Sequence, residues 1–431
     1  MKKKMALVLI LVLGLSVMGA HAETTHIVFW HSMSEEAGVL MDSYVRQFNE
    51  TLGKEKGIEV EAVYQGTYAE SVTKMNSVLS AGQTETLPDV MQLDATGKVS
   101  YLAADAAYTV EEALKDHPEN DLSGLLAPAV SNWSLSGVQL GLPFATSTTV
   151  LYYNKTALDA AHVSAPDTLA DIAALADVLK LEEGTVIYAS VPNTPTLANW
   201  LGQIGSNLVN YHNGAEGTAD ALECLENGAL VTFLRAWKNL YASGALSNTS
   251  GSTDAFVAGK QLLMTSSSSN VASLLEKVAN NFEVGVAGYP RVNSEAAHGA
   301  TVNGSCLVMF DHGDAKKEAA WSFMQYLTSS EIQADFAKGT GYIPSNRAAS
   351  ESETWKDLIK QYPQYQVALT QLLNTPDTMR SVTVGPSADF YYAIMNDITD
   401  ILDQDMTPEE GAELMADDLG GLLEQYTKAN Q

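Results

Sequence analysis

Carboxylates, histidines and small hydroxyls are the side chains of this sequence with chemistry to offer, and their spacing decides which chemistry. Asp and Glu number 52, against 24 Lys and Arg and 8 His. Two carboxylates on facing elements can serve as acid and base, but the scattered acids single out no such pair. The histidines include no pair at metal-ligand spacing on a helix. H-E-x-x-H, G-x-S-x-G and G-x-x-x-x-G-K-[ST] do not occur. The residues therefore point away from covalent or metal-assisted catalysis, and no cofactor or metal is expected.

What recurs is a segment type in which hydroxyls, glycine and tyrosine sit at element ends. "TSSSSNVASLLEKVANN" places Ser266, Ser267, Ser268, Ser269 and Asn270 before a helix with core-spaced Val271, Leu274, Leu275 and Val278. Such a turn is either an N-cap in a serine-rich loop or a ring of hydroxyls and free N–H groups suited to an anion or a sugar. In "ATVNGSCLVMF", Gly304 makes a turn or lets a ligand approach the backbone. "KGTGYIPSNRAA" holds Tyr342 between a glycine turn and Pro344, as a packed loop residue or a fixed ring. "PSADFYYAIMND" brings Phe390, Tyr391 and Tyr392 into a helix. Three consecutive positions cannot share one core face, so at least one ring is expected to face a groove, where aromatic faces stack on sugars.

The elements that must position these residues read as α/β. "THIVFWHSM" opens with the apolar run Ile27-Val28-Phe29-Trp30 and turns polar at His31-Ser32. A helix is predicted from about 34 to 52, with Val39, Leu40, Tyr44, Val45 and Phe48 at three-to-four spacing. "IEVEAVYQ" alternates as a strand, "YAESVTKMNSVLSAG" reads as a helix ended by Gly82, and "LPDVMQLDA" as a strand. This β-α-β-α-β opening predicts a parallel sheet with helices on its faces. "LGLPFATSTTVLYYN" reads as an extended passage between two bodies, "EAAWSFMQYLTSSEIQADFAKG" as one long or bent helix, and the C-terminal third as largely helical.

The 431 residues suffice for two or three domains. The first 22 read as a secretory signal peptide: Lys2, Lys3 and Lys4, an apolar run from Met5 to about Val17, and the small-x-small site Ala20-His21-Ala22. That run is too short to favour a membrane span. With no cysteine near the cleavage site, an exported, periplasmic or extracellular protein without a lipid anchor is expected. Cys224 and Cys306 lie far apart and read as buried hydrophobes, with a disulfide as the alternative. Removing the leader leaves 24 less three basic residues, 21, against 52 acids, or about −31 from a whole-chain −28. Such a charge repels nucleic acid and anionic membranes.

Together "FWHSMSEEAG", "STTVLYYNKTAL", "TSSSSNVASL" and "GTGYIPSNRAA" resemble segments of the solute-binding proteins of bacterial ABC importers. The resemblance is to the large family that includes maltose- and glycerol-3-phosphate-binding proteins, nearest the glycerol-3-phosphate type. It implies two α/β lobes joined by a multi-crossing hinge, with solute in the cleft between them. The lobes are expected at 23–143 with 290–328 and at 144–289 with 329–431. The implied protein is a monomer that captures a small-molecule solute and hands it to membrane permease subunits, with no enzymatic step. A secreted carbohydrate-active enzyme and a chemosensory module of the same fold are the alternatives.

Carried over residue by residue, the resemblance implies that Phe29 and Trp30 are core and wall while His31 and Ser32 face the cleft mouth. It places ligand contacts at Tyr68 of "QGTYAES", Ser147, a serine of the Ser-rich turn (Ser267 or Ser268), Gly304 and Tyr342. Two positions depart from the glycerol-3-phosphate pattern. Ala95 stands where an acid for the glycerol hydroxyls is expected, with Asp94 one residue earlier. Tyr391 stands where an arginine pairs with phosphate, and there resembles the sugar-stacking ring of maltose-type binders; Arg380 lies upstream. Glycerol 3-phosphate or a diester, and a neutral sugar, are both implied ligands.

Overall fold

The computed structural model describes residues 24–376, 379–385 and 387–429; the leader reading falls outside them. Strand β1 (Thr25–His31) leads through helix α1 (Glu35–Glu50) to β2 (Ile58–Tyr64), and α2 (Tyr68–Ser80) leads to β3 (Val90–Asp94). Both β2 and β3 pair parallel with β1, as the alternation of strand and helix patterns predicts. On β1 the period-two alternation sends Phe29 to one face, edge-on to Phe323 at 5.3 Å, and Trp30 to the other, beneath the Lys74 ammonium at 4.1 Å. Both are buried.

Helix α1 buries Met41, Tyr44, Val45 and Phe48. Val39, expected on that stripe, is 69% exposed, because at 3.6 residues per turn it stands roughly opposite Phe48. Helix α2 begins in a capping box: Thr67 accepts from the Glu70 amide while the Glu70 carboxylate accepts from the Thr67 amide.

The chain passes between the two lobes on β4 (Leu142–Asn154). Further along lie β5 (Val186–Ala189), α3 (Thr194–Gln203), β6 (Gln261–Ser267), α4 (Val271–Val278), β7 (Val284–Ala287) and β8 (Val302–Phe310). The first part of β4, Leu142 to Thr148, pairs antiparallel with β8 in the sheet of β1 to β3. Its second part, Thr149 to Asn154, pairs with β6 and β7 in the other sheet. One unbroken strand thus belongs to both sheets and couples them.

The first sheet packs Ile27, Phe29, Phe144 and Met309 on one face and Trp30, Leu93, Trp133 and Val308 on the other. The second lobe is centred on Trp200, Phe233, Trp237 and Tyr289, whose rings lie 5.0–5.8 Å apart in successive pairs. After β8 the expected single helix divides into α5 (Asp314–Leu327) and α6 (Ser330–Thr340). Thr328 folds its hydroxyl back on the Met324 carbonyl at 2.9 Å, and Ser329 turns extended with ψ 156°. Helix α6 lies against α1, where Tyr44 donates to Asp335 at 2.9 Å. The last two helices, α7 (Ser387–Asp403) and α8 (Pro408–Ala429), close the second lobe. Cys224 and Cys306 are free and buried.

Candidate functional site

Residues at the inner ends of β3 and β8 meet residues from α2, the serine turn and the segment after α6. Gln92 is the one amide in the apolar strand "VMQLD" and is fully buried. Its Nε2 donates to the Ser305 hydroxyl at 2.8 Å and the Tyr68 hydroxyl at 3.2 Å, and its Oε1 accepts from the Ser32 amide at 3.0 Å. Tyr68 in turn donates to Ser305 at 3.2 Å. The Tyr342 hydroxyl joins Tyr68 and the Ser269 hydroxyl, while its ring stacks on Phe336 at 5.3 Å and 11°. Burial pushes both tyrosine hydroxyls above their ordinary pKa, so they stay protonated donors. Tyr68, Ser305 and Gln92 therefore form one hydrogen-bonded cluster, with Tyr342 and Ser269 beside it.

Asp94 pairs with Ser305 in register and caps the turn that follows it. Its Oδ1 accepts from the Thr96 amide at 3.2 Å and the Thr96 hydroxyl at 2.6 Å. Burial raises its pKa, partly offset by those Thr96 bonds. From here the wall continues into a cavity of about 380 Å³ that Ala95, Thr96 and Val99 line from the first lobe. Tyr391, Tyr392 and Thr194 line it from the second lobe, and Asn303 and the segment Ser381 to Val384 complete it. The Tyr391 and Tyr392 rings meet edge to face at 5.3 Å, and Asn193, the N-cap of α3, donates to the Tyr391 hydroxyl at 3.4 Å. The groove expected of the Phe390-Tyr391-Tyr392 run thus has a location: Phe390 is core, and both tyrosines border the cavity.

The other candidate residues lie behind or beside these walls. His31 is 3% exposed, its ring between Phe29 and Tyr64 at 5.6 and 5.8 Å and its Nδ1 accepting from the Met33 amide. Burial lowers its pKa, so the imidazole is neutral at pH 7. This packing turns it inward rather than to a cleft mouth. The Ser32 hydroxyl is buried too, and it is the Ser32 backbone that holds Gln92. Ser147 is buried on β4 opposite Asn303.

Ser268 accepts from the Thr148 amide at 3.2 Å, and Ser267 meets Ser269 at 2.8 Å. Of the four serines, Ser269 touches the tyrosine cluster. Gly304 has φ +98°, and a Cβ there would lie 1.8 Å from the Ala145 carbonyl oxygen. Close strand packing alone requires the glycine. Arg380 donates from Nη1 to the Ser131 carbonyl at 2.5 Å, and buried Lys98 donates to the neighbouring Asn132 carbonyl.

Sequence reasoning passed over Gln92, Ser305, Thr96 and Ser381 to Val384. A lone amide in a buried apolar strand was a usable signal for Gln92. The 381–384 wall carries no comparable pattern.

The chain matches the family model for bacterial extracellular solute-binding proteins over residues 43–365. It is 29% identical over 363 residues to the sn-glycerol-3-phosphate-binding periplasmic protein UgpB of Yersinia pestis, covering 82% of this chain and 81% of that one. Among solved structures, UgpB from Mycobacterium tuberculosis in complex with glycerophosphocholine is similar with a TM-score of 0.75 at 18% identity. It covers 93% of this chain and 99% of its own. The cyclic alpha-maltosyl-1,6-maltose binding protein from Arthrobacter globiformis is similar with a TM-score of 0.76 at 16% identity, over 93% and 99%. At these identities the structural likeness establishes the two-lobe fold.

Proposed function

The chain belongs to the bacterial extracellular solute-binding protein family, and from that premise we propose that it captures a carbohydrate-class solute between its lobes and delivers it to an ABC permease. The observation that carries this reading is the cavity of about 380 Å³, with Tyr391 and Tyr392 on one side and a largely apolar remainder broken by Thr96, Thr194, Asn303 and Ser381. That volume is in the range of small-molecule sites, and an aromatic face opposite neutral donors suits a sugar or polyol. Ligand contact is proposed for Tyr391, Asp94 and, through the adjoining cluster, Tyr68, Tyr342 and Ser269. Thr96 and Tyr391 line the cavity from different lobes, so a solute bridging them favours closure, a population shift that a permease can recognise. No step in this reading makes or breaks a covalent bond.

A second reading, glycerol 3-phosphate or a glycerophosphodiester, is favoured by the UgpB relative and by Lys98 and Arg380 behind the wall. A thermal-shift panel of neutral mono- and disaccharides, glycerol 3-phosphate and glycerophosphodiesters separates the two. A ligand at about 100 times its Kd adds roughly 2.7 kcal/mol. A raised midpoint with sugars supports the first reading and one with phosphates alone supports the second. No shift with either class refutes both, and release of cleaved sugar would point to the enzyme alternative.

A further inference from the structure

Tyr211, His212 and Asn213 hold φ of 55°, 50° and 58°, three successive non-glycine residues in the left-handed region. Such a run persists only where its surroundings over-determine it. Asn213, 2% exposed, supplies that constraint. Its Oδ1 accepts from the Leu208 amide at 2.8 Å and the Val209 amide at 3.2 Å, and its Nδ2 donates to the Arg380 carbonyl at 3.0 Å. Its own carbonyl accepts from the Thr383 amide at 2.7 Å. Gly214 follows so closely that an added Cβ would lie 1.9 Å from the Thr383 carbonyl oxygen. The turn is therefore clamped onto the segment whose Ser381 to Val384 line the cavity.

That assembly also reaches the first lobe. The carbonyl of Ala215 accepts from the Ser136 amide at 2.7 Å, at the tip of the hairpin between Leu135 and Val138. Ser381 donates to Asn132 Oδ1 at 3.2 Å, and Arg380 donates to the Ser131 carbonyl at 2.5 Å. Trp133 and Leu135 belong to the first lobe's core, whereas Leu208, Val209 and Leu222 belong to the second's. These bonds therefore join the lobes outside the crossing strand β4.

We propose that Asn213 is a positioning residue that fixes the 380–384 cleft wall and latches the two lobes through that wall and through Ala215. Only its relevance to solute uptake rests on the reading given under Proposed function; the latch itself concerns the empty protein. The Asn213 side chain holds the turn, the turn holds the wall, and the wall holds Ser131 and Asn132. Loosening the first link frees the lobes to stand wider apart and leaves the cavity wall unanchored.

The test is the interlobe distance distribution of the ligand-free full chain, from electron–electron double resonance between spin labels at Glu55→Cys and Asp177→Cys. Both sites are exposed, and the native cysteines are buried. Asn213→Gly keeps the left-handed backbone accessible and deletes every side-chain bond, whereas Asn213→Asp keeps the acceptor for Leu208 and Val209 but loses the donor to Arg380. Both are expected to shift the distribution to longer distance by more than its wild-type width. Ser381→Ala, which removes the hydroxyl shared between Asn132 Oδ1 and the Val302 carbonyl, is expected to move it the same way by less. If the Asn213 variants melt too early to label, Ser381→Ala decides. Distributions that coincide with wild type overturn the proposal. A shifted distribution in a protein that binds nothing in the ligand panel leaves the latch standing and overturns the solute reading instead.

Discussion

Replacing Tyr391 by alanine is the sharpest single test of a sugar in this cleft. The ring borders the cavity, half-buried, braced edge to face by Tyr392 at 5.3 Å. A sugar covering one face removes about 70 Å² of apolar surface from water, or about 2 kcal/mol at 25–30 cal/mol per Å². Ring geometry adds roughly 0.5–1 kcal/mol. Tyr391→Ala should therefore weaken a neutral disaccharide by about 2–3 kcal/mol, or roughly 30- to 150-fold in Kd. Tyr391→Phe removes only the hydroxyl, whose bond from Asn193 is long at 3.4 Å. Its loss should cost under about 1 kcal/mol, less than roughly fivefold. Isothermal titration calorimetry on wild type and both variants reads this directly, with unliganded melting midpoints as the folding control. Disaccharide affinity within about twofold of wild type in Tyr391→Ala would refute the stacking argument.

Two further predictions concern the scaffold. Gly304→Ala puts a methyl 1.8 Å from the Ala145 carbonyl at a φ of +98°, so β4 and β8 must part; we expect a loss of at least about 3 kcal/mol in urea unfolding, and an unchanged midpoint would contradict the packing described. Asp397 on α7 has its pKa pushed up to about 7, chiefly by burial and then by its contact with Asp418 on α8. The folded state then holds a proton that the unfolded chain releases near pH 4, so the contribution of Asp397 to stability is least unfavourable below about pH 4 and is lost as pH rises from there towards 7. The ceiling is about 4 kcal/mol, and about 2 kcal/mol is expected once sharing with Asp418 and solvent screening are discounted. Asp397→Asn should flatten urea midpoints measured between pH 5 and 8; a profile as steep as wild type would rule this origin out.

The opening β-α-β-α-β order was legible because period-two and 3.6-residue patterns alternate there without overlap, and β1 pairs parallel with β2 and β3 accordingly. The passage "LGLPFATSTTVLYYN" was legible as a crossing because it is extended and long, and β4 does join both sheets. Val39 was misplaced because adjacent apolar residues satisfy a spacing rule loosely, while only one stripe meets the sheet. The division of α5 from α6 was hidden since Thr328 and Ser329 are tolerated inside helices, and only the back-bonded hydroxyl shows the stop. At the cleft, tyrosines and glycines announce themselves by their flanking turns. Gln92 acts through partners 24 to 213 residues away, and Asn213 reaches the wall through one 167 residues away; no local pattern encodes such distances.

The placement of charge bears on which solute the cleft prefers. Among the described residues lining the cavity none is lysine or arginine, although Lys98 and Arg380 stand directly behind it. Lys98 donates to the Asn132 carbonyl and lies 5.0 Å from the Trp133 ring, and burial, with a smaller contribution from Arg380, brings its pKa down to about 8. An ammonium so desolvated stabilises an anion only through the intervening wall, without the charge-assisted hydrogen bond that is roughly twice as strong as a neutral one. The chain's net charge of −28 adds long-range repulsion, though salt screens it beyond about 8–10 Å. A phosphate would thus depend on neutral donors, yet the Thr96 and Ser381 hydroxyls already donate to Asp94 and Asn132 and are left to accept from a sugar hydroxyl. Tyr391 contributes stacking to the sugar alone, so the balance of these terms favours the neutral ligand.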